Sequence, residues 1–449
     1  MGKYFGTDGV RGKANDILTA ELAFALGRAV ATVWVKENRQ DFKKPQMLIG
    51  RDTRLSGTML ESALAAGLCS CGVNAVLLGV IPTPGVAVLC RHYNCPGAVI
   101  SASHNPFADN GIKFFSEKGY KLPDALEEEI ESYIDSPVNV CRPAAAELGT
   151  VSYINEGRKI YLDFLKSQVD INLIGTKIVV DAANGAAGGL AEELFASLGA
   201  QVVALGSNPN GININDNCGS THPEALAQAV LRNKAHLGVA LDGDADRLIL
   251  VDEKGNIVDG DHTLAICAVD MKEQGKLKND TLVITVMSNM GLHLAMQKHG
   301  IHLEETKVGD RYVLERMLEK RASLGGEQSG HIIFSDHNTT GDGLVSALHL
   351  LGVLSRSGKP LSELAAIMQS LPQVLVNVAV KNKEDFDEDA DIASVIQEVK
   401  QTLQNRGRVL VRPSGTEMLL RVMAEGKDEE ELKKLVNMIA AVIHKKRGA

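Results

Sequence analysis

Short apolar runs alternate with longer stretches of helical period along most of the chain. Met47–Ile49, Ala75–Leu78 and Ala98–Ile100 have the length and composition of buried strands. Thr19 to Val35 and Leu60 to Cys71 carry apolar residues at helical spacing, and Thr19 followed by Glu21 has the chemistry of a helix start. Strands separated by helices predict an α/β unit. The pattern fades over Ser136–Ala146, where Pro137, Pro143 and an alanine run predict a linker. It resumes with a helix around Ile160–Leu165 and strands over Lys177–Asp181, Gln201–Ala204 and Leu237–Leu241. A third unit begins near Asp259, with strands over Thr281–Val286 and Gly330–Phe334. Its helix from Gly343 to Leu354 runs into Arg-Ser-Gly-Lys-Pro, a stop signal.

From about Leu371 the pattern changes. Val374–Val380, Arg408–Val411 and Met418–Ala424 read as strands, and Ala390–Leu403 and Glu429–Lys445 as helices, which predicts a small α+β domain. The expected division is 1–150, 151–256, 257–370 and 371–449. The three α/β units share an outline, which points to internal duplication without a residue-level repeat.

The chain's 449 residues agree with several domains, because single cores stop growing near ~250–300 residues. A net charge of −9 argues against nucleic-acid binding and against adhesion to anionic lipid. An anionic small substrate stays open, since a local cationic pocket can sit in an acidic protein. Aromatics at 4% argue against base-stacking platforms. Seven cysteines, an odd number with no CxxC, predict reduced thiols. The opening MGKYFGTDGVRG has no apolar core of a signal peptide. The most apolar stretch, Ala75–Cys90, is broken by Pro82 and Pro84, so no membrane span is expected and the predicted location is the cytoplasm.

Five loops carry unusual chemistry. Ser101-Ala102-Ser103-His104-Asn105-Pro106 ends an apolar strand and exposes a serine. A Ser-His hydrolase is disfavoured there, because neighbours in extended chain point apart and no G-x-S-x-G surrounds Ser103. Asp242, Asp244 and Asp246 crowd three carboxylates that need a counter-charge, and hard oxygen ligands suit Mg²⁺ or Ca²⁺. An EF-hand competes, with Glu253 at the twelfth position, but Arg247 stands where glycine is required and both flanks read as strands. In Gly325-Gly326-Glu327-Gln328-Ser329-Gly330-His331, Glu327 and Ser329 can take sugar hydroxyls and His331 can move a proton. Arg412-Pro413-Ser414-Gly415-Thr416-Glu417, with Arg421 on the next strand, offers a phosphate cradle. Gly6–Gly12, containing Arg11, and Lys113 in Asn110-Gly111-Ile112-Lys113 can supply cations to a transferring phosphoryl group. For each loop taken alone an ordinary polar turn competes. Together they describe phosphoryl transfer, which relies on positioning and charge neutralisation.

With FGTDGVRG, ISASHNP, DGDADR, VGDRYV, GGEQSGH and RPSGTE in this order, the sequence resembles the α-D-phosphohexomutase superfamily over essentially its whole length. FGTDGVRG and Met287-Ser288-Asn289-Met290-Gly291 resemble its glucosamine branch more than its mannose/glucose branch. The resemblance implies three similar mixed-sheet α/β domains plus a C-terminal α+β domain around a central cleft. It implies a phosphoserine at Ser103 and one Mg²⁺ per chain, held by Asp242, Asp244, Asp246 and a phosphate oxygen on Ser103. Arg247 would steady that phosphate, and Glu327 and Ser329 would bind the sugar. Arg412, Ser414, Gly415, Thr416 and Arg421 would grip the phosphate not being transferred. Lys113, Arg11 and His331 match positions that assist proton transfer or charge stabilisation. The implied reaction interconverts glucosamine 6-phosphate and glucosamine 1-phosphate through a bound bisphosphate, feeding UDP-N-acetylglucosamine and peptidoglycan precursors. The expected partner is a small sugar phosphate, with room left for a homodimer. Alternatives are a mannose/glucose mutase, a non-catalytic sugar-phosphate sensor and a Mg²⁺ phosphatase. Ala245 stands where many relatives have glycine, and its methyl is tolerable unless the position needs a positive φ.

Overall fold

The structure is a computed structural model that describes residues 2–6, 8–37, 44–136, 139–414 and 418–449. It contains two compact units, Met1–Met287 with Ile301–Ile367, and Ser288–Gly300 with Met368–Ala449.

The first unit holds three sheets. Strands β1 (Phe5–Gly6), β2 (Gly9–Lys13), β3 (Gln46–Arg51), β4 (Asn74–Val80), β5 (Gly97–Ile100), β6 (Asp109–Phe115) and β7 (Val151–Tyr153) lie in the order β1-β2-β6-β5-β3-β4-β7. Strands β8 (Lys177–Asp181), β9 (Gln201–Leu205), β10 (Leu237–Leu241), β11 (Leu248–Asp252) and β12 (Ile257–Val258) lie in the order β12-β11-β10-β8-β9. Strands β13 (Thr281–Thr285), β14 (His302–Thr306), β15 (Leu324–Gly326) and β16 (Ile332–Phe334) lie in the order β14-β13-β15-β16.

One four-strand order recurs in all three: β4-β3-β5-β6, β9-β8-β10-β11 and β14-β13-β15-β16. Each time three strands run parallel and the fourth turns back antiparallel to the third. The duplication expected from the outline is thus present as topology. The central parallel strands read as apolar runs because they are covered on both faces: every residue of β5, β10 and β13 is buried.

Two features depart from the sequence reading. The helix Thr83–Tyr93 lies where Pro82 and Pro84 were read as breakers. Both prolines sit at its start, where a missing N–H costs nothing and a fixed φ helps. The chain also stays in the first sheet beyond residue 150, because β7 pairs in parallel with β4 over Ala75–Leu77. Three exposed residues, Val151–Tyr153, are too short a run to announce a strand.

In the second unit β17 (Gln373–Ala379), β18 (Gly407–Pro413) and β19 (Leu419–Gly426) form an antiparallel sheet with β19 in the middle. Helices Ala390–Leu403 and Glu429–Arg447 start at Asp389 and Asp428, whose carboxylates accept from backbone N–H groups of the first turn. Their apolar stripes, including Ile392, Val399, Val436 and Ile439, meet Leu420 and Val422 in one core. Helix Met290–Lys298 belongs to this unit: Met290 N–H donates to Glu425 Oε2 at 3.0 Å and Asn289 Nδ2 to the Leu371 carbonyl at 3.0 Å. Among the described residues no helix is long and apolar enough to cross a membrane. All seven cysteines are free thiols.

Candidate active site

The repeated topology places three of the five unusual loops at one equivalent position. Ser101–Pro106 follows β5, Asp242–Arg247 joins β10 to β11, and Glu327–His331 joins β15 to β16. Each connects the third parallel strand to its antiparallel partner, and each contains a left-handed residue: Ser103 (φ 51), Ala245 (φ 58) and Gly330 (φ 91). Antiparallel pairing of β10 with β11 removes the EF-hand, which needs helices on both flanks.

The loops also touch. The Ser103 hydroxyl donates to Asp242 Oδ2 at 2.6 Å, and an isolated bridge pairs Arg247 with His331. Gly243 is glycine for a spatial reason, since a Cβ there would lie 2.6 Å from the Ser103 carbonyl. Ser103 and His104 were expected to point apart as in extended chain. The left-handed turn at Ser103 instead leaves its Oγ 3.2 Å from His104 Nδ1. Burial and the Arg247 guanidinium push His104 down to about 4, so its ring is neutral at neutral pH.

Asp242, Asp244 and Asp246 are buried, and each offers a carboxylate oxygen within 4.8 Å of the others. Burial, then Asp246 and Asp244, drive Asp242 well above the usual carboxylate range. Burial also acts to raise Asp246, but His331, Lys113 and Arg247 outweigh it and hold that carboxyl well below the usual range. Asp244 Oδ2 accepts from Thr83 Oγ1 at 2.6 Å and from Lys113 Nζ at 3.3 Å. Thr83 gave no signal in the sequence, because the helix it begins went unread.

Lys113 is buried beneath the triad, 2.9 Å from Asp8 Oδ2 and 3.9 Å from Asp246 Oδ2. Burial would lower its pKa, but Asp244 and Asp8 raise it and keep the ammonium charged. Arg11 pairs with Asp8, and Lys121 ties Asp8 to Asp310. Arg247 donates its backbone N–H to Asp242 Oδ1 at 3.2 Å, and its side chain lies 3.9 Å from Asp246. His331 is buried between Asp246 (Nδ1, 3.7 Å) and Asp310 (Nε2, 3.8 Å). Burial lowers its pKa, and Asp246, Asp310 and Glu327 more than reverse that. Glu327 Oε1 accepts the Gly309 N–H at 3.0 Å, and Ser329 is exposed on the same turn. Asp310 lies in the VGDRYV motif without a role assigned from sequence, and Lys121 carries no motif; nothing in their local spacing announces a partner so distant in the chain.

In the second unit Arg412 and Arg421 face each other directly across β18 and β19. Like charges in that register repel, and burial together with Arg421 lowers the Arg412 pKa. A bound anion would relieve both effects. Ser414 is buried at the end of β18, and Lys383 Nζ donates to its carbonyl at 2.7 Å. Gly415 and Thr416, the other two expected members of this cradle, lie outside the described residues.

Phosphoglucomutase/phosphomannomutase models match the chain domain by domain: alpha/beta/alpha domain I over residues 2–139, domain II over 159–255, domain III over 259–371 and the C-terminal domain over 375–442. The phosphoglucosamine mutase of Heliobacterium modesticaldum is 55% identical over 99% of this chain and 100% of its own length. That of Bacillus subtilis is 54% identical over 100% of both. The chain belongs to the phosphoglucosamine mutase branch of the phosphohexomutase superfamily. At the level of fold, a phosphoglucomutase/phosphomannomutase family protein from Burkholderia thailandensis superposes with a TM-score of 0.80. It is 24% identical, with 98% of this chain and 97% of that one covered.

Phosphohexomutases use Mg²⁺, and the residues present fit it. Among the described residues Asp244 Oδ1 and Asp246 Oδ1 are buried without a hydrogen-bond partner, and burial and the neighbouring carboxylates push Asp242 toward protonation. Three convergent hard oxygens with surplus negative charge are a donor set for an oxygen-seeking divalent cation. Asp242, Asp244 and Asp246 would hold it, and its charge would offset that of a phosphoryl group beside Ser103.

Proposed function

We propose that Ser103 carries a phosphoryl group and exchanges it with hexosamine phosphates, interconverting glucosamine 6-phosphate and glucosamine 1-phosphate. Phospho-Ser103 donates to O1 of glucosamine 6-phosphate, breaking the serine's O–P bond and forming glucosamine 1,6-bisphosphate. The bisphosphate turns over while bound, and its 6-phosphoryl group returns to Ser103. Arg247 steadies the phosphoserine, Lys113 and Arg11 offset charge on the transferring group, and His331 handles protons. Glu327 and Ser329 take the sugar hydroxyls. Arg412, Ser414, Gly415, Thr416 and Arg421 grip whichever phosphate is not being transferred, so one cradle serves both ends of the sugar. The product suits UDP-N-acetylglucosamine synthesis in the cytoplasm. A four-part division of the chain follows, the first part extended through Tyr153 by β7.

The observation that carries this reading is the Ser103 hydroxyl 2.6 Å from Asp242, inside a buried carboxylate cluster lined by Lys113. That full-length relatives are named phosphoglucosamine mutase supports the amino sugar as substrate over glucose and mannose phosphates. A coupled assay for glucosamine 1-phosphate, with glucose and mannose phosphates run beside it, tests this. Turnover at least tenfold faster on the glucosamine phosphate is expected. Release of inorganic phosphate without an isomerised sugar would make the protein a phosphatase.

A further inference from the structure

The Ser103 turn is held from behind by residues that belong to no motif for phosphate, metal or sugar. Arg54 is 1% exposed, and its guanidinium donates to three backbone carbonyls of the serine loop: Ser103 and Asn105, both at 2.9 Å, and Pro106. Asp52, fully buried, fixes that fork through its Oδ2, 2.9 Å from Arg54 Nε. The same Oδ2 accepts the Ser101 hydroxyl at 2.7 Å, and Ser101 Oγ accepts the Ser103 N–H at 2.9 Å. Both the N–H and the C=O of Ser103 are therefore tied to one Asp52–Arg54 pair.

A second donor reaches the same carbonyls from the second α/β domain. Asn215 Nδ2 donates to the Ser103 carbonyl at 2.8 Å and to the Asn105 carbonyl at 3.0 Å. Asn215 lies beside the metal loop, since a Cβ on Gly243 would come 3.0 Å from its Nδ2. One guanidinium from the first domain and one amide from the second thus share two carbonyls.

We infer that Arg54 and Asn215 are positioning residues that lock Ser103 in its left-handed turn against the carboxylate triad. The inference rests on the reading of Ser103 as the phosphoryl carrier. A non-glycine residue at φ 51 is disfavoured and persists only where its surroundings over-determine it. Relaxing the turn would swing Oγ away from Asp242. A planar fork suits three converging carbonyls, which an ammonium at the end of a flexible stem does not replace. Since phosphoryl transfer depends on where the oxygen sits relative to the metal ligands, losing the lock slows chemistry and leaves sugar binding alone.

The test is a kcat and KM comparison for Asn215→Ala and Arg54→Lys against wild type on glucosamine 6-phosphate, with thermal midpoints measured alongside. The inference expects kcat to fall at least tenfold in each variant, with KM within twofold and Asn215→Ala melting within a few degrees of wild type. Should Asn215→Ala fail to fold, Arg54→Lys decides by the same split. A kcat within twofold of wild type overturns the inference, as does a raised KM at unchanged kcat. A wild type that isomerises none of the glucosamine, glucose and mannose phosphates overturns the phosphoserine reading itself, and the inference with it.

Discussion

The Ser103 hydroxyl and the Asp242 carboxylate meet at 2.6 Å, and that contact joins the first α/β domain to the second. Neither residue is near the other in sequence. They meet because two copies of one sheet topology present the same turn toward each other. The third copy adds His331, 3.7 Å from Asp246. A site assembled from equivalent turns needs no long catalytic loop, only three short ones held at strand ends.

The carboxylate triad is expected to bind a divalent cation and gain stability by doing so. Ligand at a hundredfold excess over its Kd adds about 2.7 kcal/mol to a fold that alone binds it. Mg²⁺ should therefore raise the melting temperature of wild type and not that of Asp244→Asn. In Mn²⁺ titrations followed by electron paramagnetic resonance, the variant's Kd should rise at least tenfold. Equal affinities would remove the metal from the account.

Ala245 sits at φ 58, the condition under which its methyl carries a penalty. The left-handed conformation costs a residue with a Cβ roughly 1–2 kcal/mol. Glycine's greater loss of chain entropy takes back about 0.5–1 kcal/mol. Ala245→Gly should thus leave the protein as stable as wild type or more so, by about 0.5 kcal/mol. A clear loss of melting temperature would mean that the methyl's packing outweighs the backbone strain.

His349 predicts how acid weakens the first unit. Its ring stacks on Phe334 at 4.2 Å, and its Nε2 is buried without a hydrogen-bond partner among the described residues. Burial, His337 and Arg356 lower its pKa from 6.5 to about 3. The unfolded chain therefore binds a proton between those values that the folded ring refuses. Stability from this group is full above 6.5 and is lost as pH falls toward 3. His349→Phe keeps the stack and removes the proton, so its melting temperature should fall less steeply between pH 6.5 and 5 than that of wild type. Parallel slopes would assign the acid sensitivity elsewhere.

Lys121 joins Asp8 of the first domain to Asp310 of the third, with all three side chains mostly buried. Without Lys121, Asp8 keeps Lys113 and Arg11, but Asp310 is left with His331 at 3.8 Å, and a buried carboxylate stripped of its main counter-charge costs about 3–5 kcal/mol. Lys121→Met should lower the melting temperature by several degrees and reduce the free energy of unfolding in denaturant by about 3 kcal/mol. An unchanged denaturation midpoint would show that His331 or another cation compensates Asp310 in full.

Continuous apolar runs make the central parallel strands legible, since burial on both faces leaves no polar alternation to confuse; the edge strand His302–Thr306, partly exposed, carries no such run. Helix Ala390–Leu403 and strand Lys177–Asp181 coincide with their sequence readings for the same kind of reason, a clear cap or a clear run. Val151–Tyr153 and Thr83–Tyr93 escaped because one is short and exposed and the other begins with prolines. At the site, Ser103 and the triad announced themselves by dense local chemistry. Arg54, Asn215, Thr83 and Lys121 did not, because each acts on a residue far along the chain and carries no local signature. The left-handed turn at Ser103 was equally hidden, since serine gives no warning of a positive φ.

The central claim is that Ser103 carries the phosphoryl group, and one comparison addresses it most directly. Wild type and Ser103→Ala would be assayed side by side for conversion of glucosamine 6-phosphate to glucosamine 1-phosphate, both confirmed folded. The account predicts steady turnover by wild type and none above background by the variant. Substantial glucosamine 1-phosphate formation by Ser103→Ala would contradict it.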